Sequence, residues 1–254
     1  MSADRERLSV TVITLNEAER LRTCLESVAW ADEIVVVDAE SQDKTVAVAR
    51  EFTDRVWVRP WPGFAAQKNF ALAQATGDWV LSLDADEEVS PALRADIEAV
   101  LASGGRSSPA GYAVPRRNLF LGQWVRHGGL YPDWQLRLVR RGQGRFVERA
   151  VHEALRVEGP VGRLRGHLVH RSYDSLGDFL DRAHRYATLA ADDLVRSGGR
   201  VRTGELVLRP FGRFLAMYVL RGGFLDGGKG LLLAGLYAYY VFMRTAKAWE
   251  ATRR

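Results

Sequence analysis

The stretch Val80 to Ser90 reads VLSLDADEEVS. An apolar, β-prone run enters two aspartates, Asp84 and Asp86, one residue apart, and two glutamates follow. Four carboxylates at a strand end repel one another unless positive charge sits among them. Aspartates at this spacing form a hard-oxygen site. It suits Mg2+ or Mn2+ held by one or two carboxylates together with the phosphates of a substrate. Such an ion neutralises a diphosphate and makes it a better leaving group.

A strand end acquires chemistry when the fold brings other strand ends beside it. The first hundred residues alternate between strand and helix. LSVTVITL, DEIVVVDA, DRVWVR and DWVLSLD are β-rich apolar runs. EAERLRTCLESVAWA carries Leu21, Cys24, Leu25 and Val28 at helical spacing, and KTVAVAREF and AAQKNFALAQAT also read as helices. SPALRADIEAVLAS begins with Ser90 as N-cap and Pro91 in the first helical position. This alternation predicts an α/β fold with a parallel central sheet and flanking helices. Ligands of such sheets bind beyond the carboxyl ends of the strands. Polar residues collect there: Thr14, Asn16 and Glu17 after the first strand, Asp38, Glu40, Ser41 and Asp43 after the second, Asp84 and Asp86 after the fourth.

From Ala110 the pattern changes. GYAVPRR and WQLRLVRR read as strands joined by loops rich in glycine and aromatics, and SYDSLGDFLDRAHRYATLAADDLVRSGG reads as a helix. With 254 residues, 47% apolar and 26% charged, the chain suits one sizeable domain with a small appendage and is far from a disordered composition. A single cysteine, Cys24, excludes an intrachain disulfide and fits a reducing compartment. No secretory signal is apparent in MSADRERLSV. The net charge is +5, with arginine dominating from Arg116 onward, which suggests a polyanionic partner. Nucleic acid is disfavoured, because no recognised motif is present and the basic residues are not organised with stacking aromatics. TLNEAER follows the first strand where a dinucleotide fold needs G-x-G-x-x-G. A haloacid-dehalogenase-type phosphatase carries D-x-D on its first strand, with Thr or Val where this chain has Glu88.

The run VTVITLNEAERLRTCLESV, DEIVVVDAESQDKT, AAQKNFAL and GDWVLSLDADEEV resembles a family 2 glycosyltransferase of the GT-A fold, in order and at the expected spacing over about residues 8–100. YPDWQLRLVRR, VHEAL and the C-terminal segments resemble the WaaE/KdtX-like branch of lipopolysaccharide core glucosyltransferases. The resemblance implies an inverting hexosyl transfer from a UDP-sugar, glucose first, with a divalent cation, to a phosphorylated inner-core glycolipid. It implies a GT-A domain over 1–172, with a nucleotide-sugar half at 1–105 and an acceptor half at 106–172, and a helical region at 173–254. By position, Thr14, Asn16 and Glu17 line the nucleotide pocket, with Ser41 and Asp43 kept from the family's second-strand loop. Asp38 faces uracil or ribose, Gln67 and Lys68 lie near the donor, Asp84 contacts ribose or sugar, and Asp86 ligates Mg2+ or Mn2+. Glu40 stands where the family often has glycine. Glu87 and Glu88 are expected to be solvated or to cap the next helix.

Inversion needs a general base for the acceptor hydroxyl. The candidates are Glu153, preferred because His152 and apolar residues flank it, and Asp133. Arg116, Arg117, Arg126, Arg137, Arg140 and Arg141 could bind the acceptor's phosphates, since guanidinium suits bidentate contact, or equally sit at a leaflet of anionic lipid. The apolar segment Gly230 to Met243 is shorter than a membrane span. With its tyrosines and neighbouring cations it is expected to lie on an anionic membrane surface, making the protein cytoplasmic and peripheral at the inner face. Its alternative is packing against the core or a second subunit. The rival functions are a transferase acting on polyprenyl phosphate, a metal-dependent phosphohydrolase using the same aspartates, and a non-catalytic nucleotide-sugar binder.

Overall fold

The computed structural model describes residues 5–104, 109–148, 153–173 and 175–253. The chain forms two compact units. Unit one is Met1–Arg116 with Asp133–His170, and unit two is Arg117–Pro132 with Arg171–Arg254.

Unit one begins β1 (Leu8–Thr14), α1 (Ala18–Ser27), β2 (Glu33–Asp38), α2 (Thr45–Arg50), β3 (Val56–Val58), α3 (Phe64–Gln74) and β4 (Trp79–Asp84). The strands lie parallel in the order β3-β2-β1-β4. All seven residues of β1 are buried, as expected of a parallel strand covered on both faces. One face packs Val10, Val12, Leu81 and Leu83 with Leu21 and Leu25 of α1. The other packs Ile13, Val35 and Val37 against Ala71 of α3. The register sets Thr14 opposite Asp38 and Ile13 opposite Asp84, so the carboxyl ends of β1, β2 and β4 are level.

A three-residue strand, β5 (Glu87–Val89), follows β4 directly, and α4 (Pro91–Ala102) follows it. Ser90 caps α4 as predicted, its hydroxyl accepting from the Leu93 N–H at 3.2 Å. Next come β6 (Gly111–Phe120), β7 (Gln123–Trp124), β8 (Asp133–Arg140), β9 (Gly144–Val147), β10 (Ala154–Val157), β11 (Val161–Arg163) and β12 (Leu168–Tyr173). The sheet is therefore mixed: β8 runs antiparallel on β4, β6 antiparallel on β8, and β5 antiparallel to the start of β12.

In unit two, β7 folds back on the end of β6, and three helices follow: α5 (Leu176–Arg196), α6 (Glu205–Leu215) and α7 (Gly227–Ala251). A π-helical turn (Ala216–Leu220) and a 3-10 turn (Gly223–Asp226) join α6 to α7. The apolar segment expected on a membrane surface lies within α7, a helix of 25 residues, and buries Gly230, Leu233, Ala234 and Val241. No helix among the described residues is long and apolar enough to cross a membrane.

Gly166 packs on the first turn of α4, where a Cβ would lie 2.2 Å from the Leu93 backbone nitrogen. Backbone cannot yield as a side chain can. Gly166→Ala should therefore destabilise the protein by about 1–3 kcal/mol, read as a lowered midpoint in urea at unchanged slope.

Candidate active site

The positive charge required at the end of β4 comes from the chain itself. Arg137, on the neighbouring strand β8, donates to Asp84 Oδ2 and to Glu87 Oε1, both at 2.6 Å. Lys68, on α3, lies 2.7 Å from Asp84 Oδ1. Arg116, on β6, reaches Glu87 Oε1 at 3.2 Å and Asp133 Oδ2 at 2.7 Å. Burial alone would raise the Asp84 carboxyl, but Arg137 and Lys68 beside it hold it well below the usual carboxylate range. Burial would likewise lower the Arg137 guanidinium, and Asp84 and Glu87 raise it instead.

Two expectations are corrected here. Glu87 neither faces solvent nor caps the next helix: it is wholly buried on β5, and its Oε2 accepts from the Asp84 N–H at 3.0 Å. β5 is paired on the sheet, which turns this side chain toward the arginines. Arg116 and Arg137 are spent on these internal carboxylates rather than held out for acceptor phosphates. Arg140 pairs with Glu6 at 3.1 Å, and Arg141 donates to the Gly77 carbonyl at 2.9 Å.

Arg137 thus grips residues 84 and 87 on either side of a tight turn. Asp86 sits in that turn, with Oδ2 3.4 Å from Nε2 of His170 on β12. The sequence alone does not single out His170, which stands within the strand β12.

The loops after β1 and β2 are tied together. Asp38 is fully buried, and its oxygens accept from the Ser41 N–H at 2.8 Å and the Ser41 hydroxyl at 2.5 Å. Ser41 Oγ accepts from the Asn16 N–H, and Asn16 Oδ1 accepts from the Gln42 N–H, each at 2.8 Å. The Glu17 N–H donates to Thr45 Oγ1 at 2.9 Å. Asp43 accepts from Thr45, chiefly its hydroxyl, which lowers the Asp43 carboxyl. Glu40 adopts φ 62°, the left-handed conformation that glycine takes at least cost, and the loop closes with Glu40 in that place. Asn16, at φ 53°, is of a type that tolerates this region.

Lys68 links Asp84 to Glu153, donating to Glu153 Oε1 at 2.6 Å. No hydrogen bond to Oε2 of Glu153 is found among the described residues. Asp133 has both oxygens engaged, one by Arg116 and the other by the Gln135 amide at 2.7 Å. Gln67 is completely buried with neither amide atom hydrogen-bonded, and the Thr14 hydroxyl is likewise buried and unbonded. His152, expected beside Glu153, lies outside the described residues.

Removing Arg137 leaves Glu87 as a buried carboxylate whose remaining ion pair is the longer one to Arg116. Arg137→Met should destabilise the fold by about 3–5 kcal/mol at pH 7. A carboxyl whose folded pKa is depressed contributes stability above its unfolded pKa and loses it as pH falls toward the folded value. The gap between wild type and variant in denaturant titrations should therefore narrow below about pH 4.

The family model for Glycosyl transferase family 2 matches residues 9–147. The lipopolysaccharide core biosynthesis glycosyltransferase LpsC of Rhizobium meliloti is 36% identical over 250 residues, covering 96% of this chain and 92% of that protein. An uncharacterized glycosyltransferase of Rickettsia typhi is 29% identical, covering 96% of this chain and 87% of its own length. Among solved structures, the mannosyltransferase PcManGT from Pyrobaculum calidifontis, in complex with GDP-Man and Mn2+, aligns with TM-score 0.56 at 16% identity, covering 98% of this chain and 89% of that one. That likeness is one of fold, the GT-A fold. With a family model over more than half its length and a relative of this identity along nearly all of it, the chain belongs to glycosyl transferase family 2.

Proposed function

We propose that this chain transfers a hexose, glucose first, from a UDP-sugar to a phosphorylated lipopolysaccharide inner-core glycolipid, with inversion. The observation that carries the reading is the turn gripped by Arg137, which sets Asp86 against His170 beside the level ends of β1, β2 and β4. LpsC, the relative in lipopolysaccharide core synthesis, supports the acceptor class. PcManGT, solved with a nucleotide sugar and Mn2+, supports the donor class and a divalent cation.

Asp86 and His170 fit such an ion. Carboxylate and imidazole both ligate Mn2+. Oδ2 of Asp86 and Nε2 of His170, 3.4 Å apart, are near enough to hold one ion between them. When bound, the ion would neutralise the donor diphosphate and ease its departure. The tied loops carrying Thr14, Asn16, Glu17, Ser41 and Asp43 shape the nucleotide pocket, with buried Asp38 bracing Ser41 from beneath. Asp84, whose side chain keeps 29% exposure, orients ribose or sugar, and Gln67 precedes Lys68 on α3. Lys68 holds Glu153 in place, and Glu153 Oε2 takes the proton from the attacking acceptor hydroxyl. A glycolipid acceptor lies in a membrane, so the enzyme works peripherally at the inner face.

UDP release from a panel of UDP-sugars with deacylated core acceptors tests the reading. Release should require acceptor, and Glu153→Gln should slow it about 10²–10⁴-fold with UDP binding unchanged. Release without acceptor would mean a hydrolase, and a matching loss in Asp133→Asn but not in Glu153→Gln would exchange the two roles.

A further inference from the structure

A helix packed on one side of a protein normally turns its apolar stripe inward. In unit two, α6 does the reverse. None of its residues is buried, and Val207, Leu208 and Phe211 face solvent. The two turns that follow continue the exposure with Leu220, Phe224 and Leu225, and all six side chains are between 52% and 81% exposed. The corner is rigid. Gly223 and Gly230 approach so closely that a Cβ on Gly230 would meet the Gly223 carbonyl oxygen at 1.8 Å. Asp226 pins the same corner, accepting from the His127 N–H at 2.8 Å, with His127 Nδ1 2.9 Å from its other oxygen. Apolar side chains held out on a rigid, glycine-tight corner mark a contact surface.

Charge identifies the occupant. From Glu205 to Glu250 the cations Arg209, Arg213, Arg221, Lys229, Arg244 and Lys247 outnumber the acids Glu205, Asp226 and Glu250. Arg213 stacks on Tyr237, Lys229 donates to the Leu121 carbonyl and Lys247 to Thr188, and Arg221 stands exposed beside the apolar side chains of the corner. Arg209 is paired with Glu205. Burial lowers the Arg213 guanidinium, and the like charges of Arg221 and Arg244 lower it further, so the cations sit within one another's field. A two-fold dimer through this face would set the cations of one copy against those of the other. An anionic bilayer accepts both features, apolar side chains among the acyl chains and cations among the headgroups.

We propose that α6 and the corner at Leu220 to Leu225 form the surface by which this protein docks onto an anionic lipid bilayer. This deepens the peripheral-membrane part of the proposed function by naming the docking surface, and its test is separate from transfer, since docking needs neither donor nor acceptor. It also shifts the membrane contact from the segment at 230–243, which unit two partly buries, to the helix and corner before it.

Cosedimentation of the full chain with phosphatidylcholine vesicles, with and without phosphatidylglycerol, tests it. The protein should pellet with phosphatidylglycerol vesicles at low salt and be released by high salt. Leu220→Asp with Phe224→Asp, and separately Val207→Ser with Leu208→Ser, should weaken vesicle binding at least about tenfold, with unchanged thermal melting and UDP binding. Three results would overturn the proposal. The wild type could stay in the supernatant at low salt, both double variants could pellet like wild type, or the wild type could be a dimer that the double variants convert to monomer.

Discussion

The structure of the site depends on one guanidinium. Arg137 bonds Asp84 on one side of a tight turn and Glu87 on the other. Carboxylates crowded at a buried strand end would otherwise repel, or take up protons. Arg137 bridges the two, and Glu87 in turn accepts the Asp84 N–H and closes the turn. The residue held between those fixed points is Asp86. Arg137 therefore acts as a positioning residue, and the side chain it positions is presented to His170 on another strand. Lys68 extends the same logic outward, neutralising Asp84 while fixing one oxygen of Glu153.

The first half of this arrangement was legible in the sequence. Parallel strands buried on both faces appear as unbroken apolar runs, so β1, β2 and β4 stood out, and their polar ends followed from topology. The Ser90-Pro91 start of α4 was equally plain. What stayed hidden was decided by pairing between distant segments. DEEV looks like a solvated acidic run until β5 pairs with β12 and buries Glu87. Nothing local distinguishes an arginine that faces a carboxylate on the next strand from one that awaits a phosphate. His170 gains meaning only because β12 brings it beside Asp86. The grouping of Arg117–Pro132 with the C-terminal helices is a further non-local fact that alternation in the sequence cannot reveal.

The arginine-rich second half is consequently not one basic face. In unit one, Arg116, Arg137, Arg140 and Arg141 are turned to acids or carbonyls of the chain. In unit two, Arg117 and Arg126 are held by an aromatic ring, and no ion pair of either is found among the described residues. The same residue type serves charge compensation at one place and stacks on an aromatic ring at another. Net charge alone could not separate these uses.

The turn gripped by Arg137 is proposed to present Asp86, with His170, to a divalent cation on a nucleotide. The most direct measurement titrates Mn2+ into the protein with UDP present and reads free Mn2+ by electron paramagnetic resonance. A single Mn2+ should bind per chain, with affinity lowered at least about tenfold, the usual order for loss of a metal's supporting groups, in Asp86→Ala and in His170→Ala. Undiminished Mn2+ binding by Asp86→Ala would contradict it.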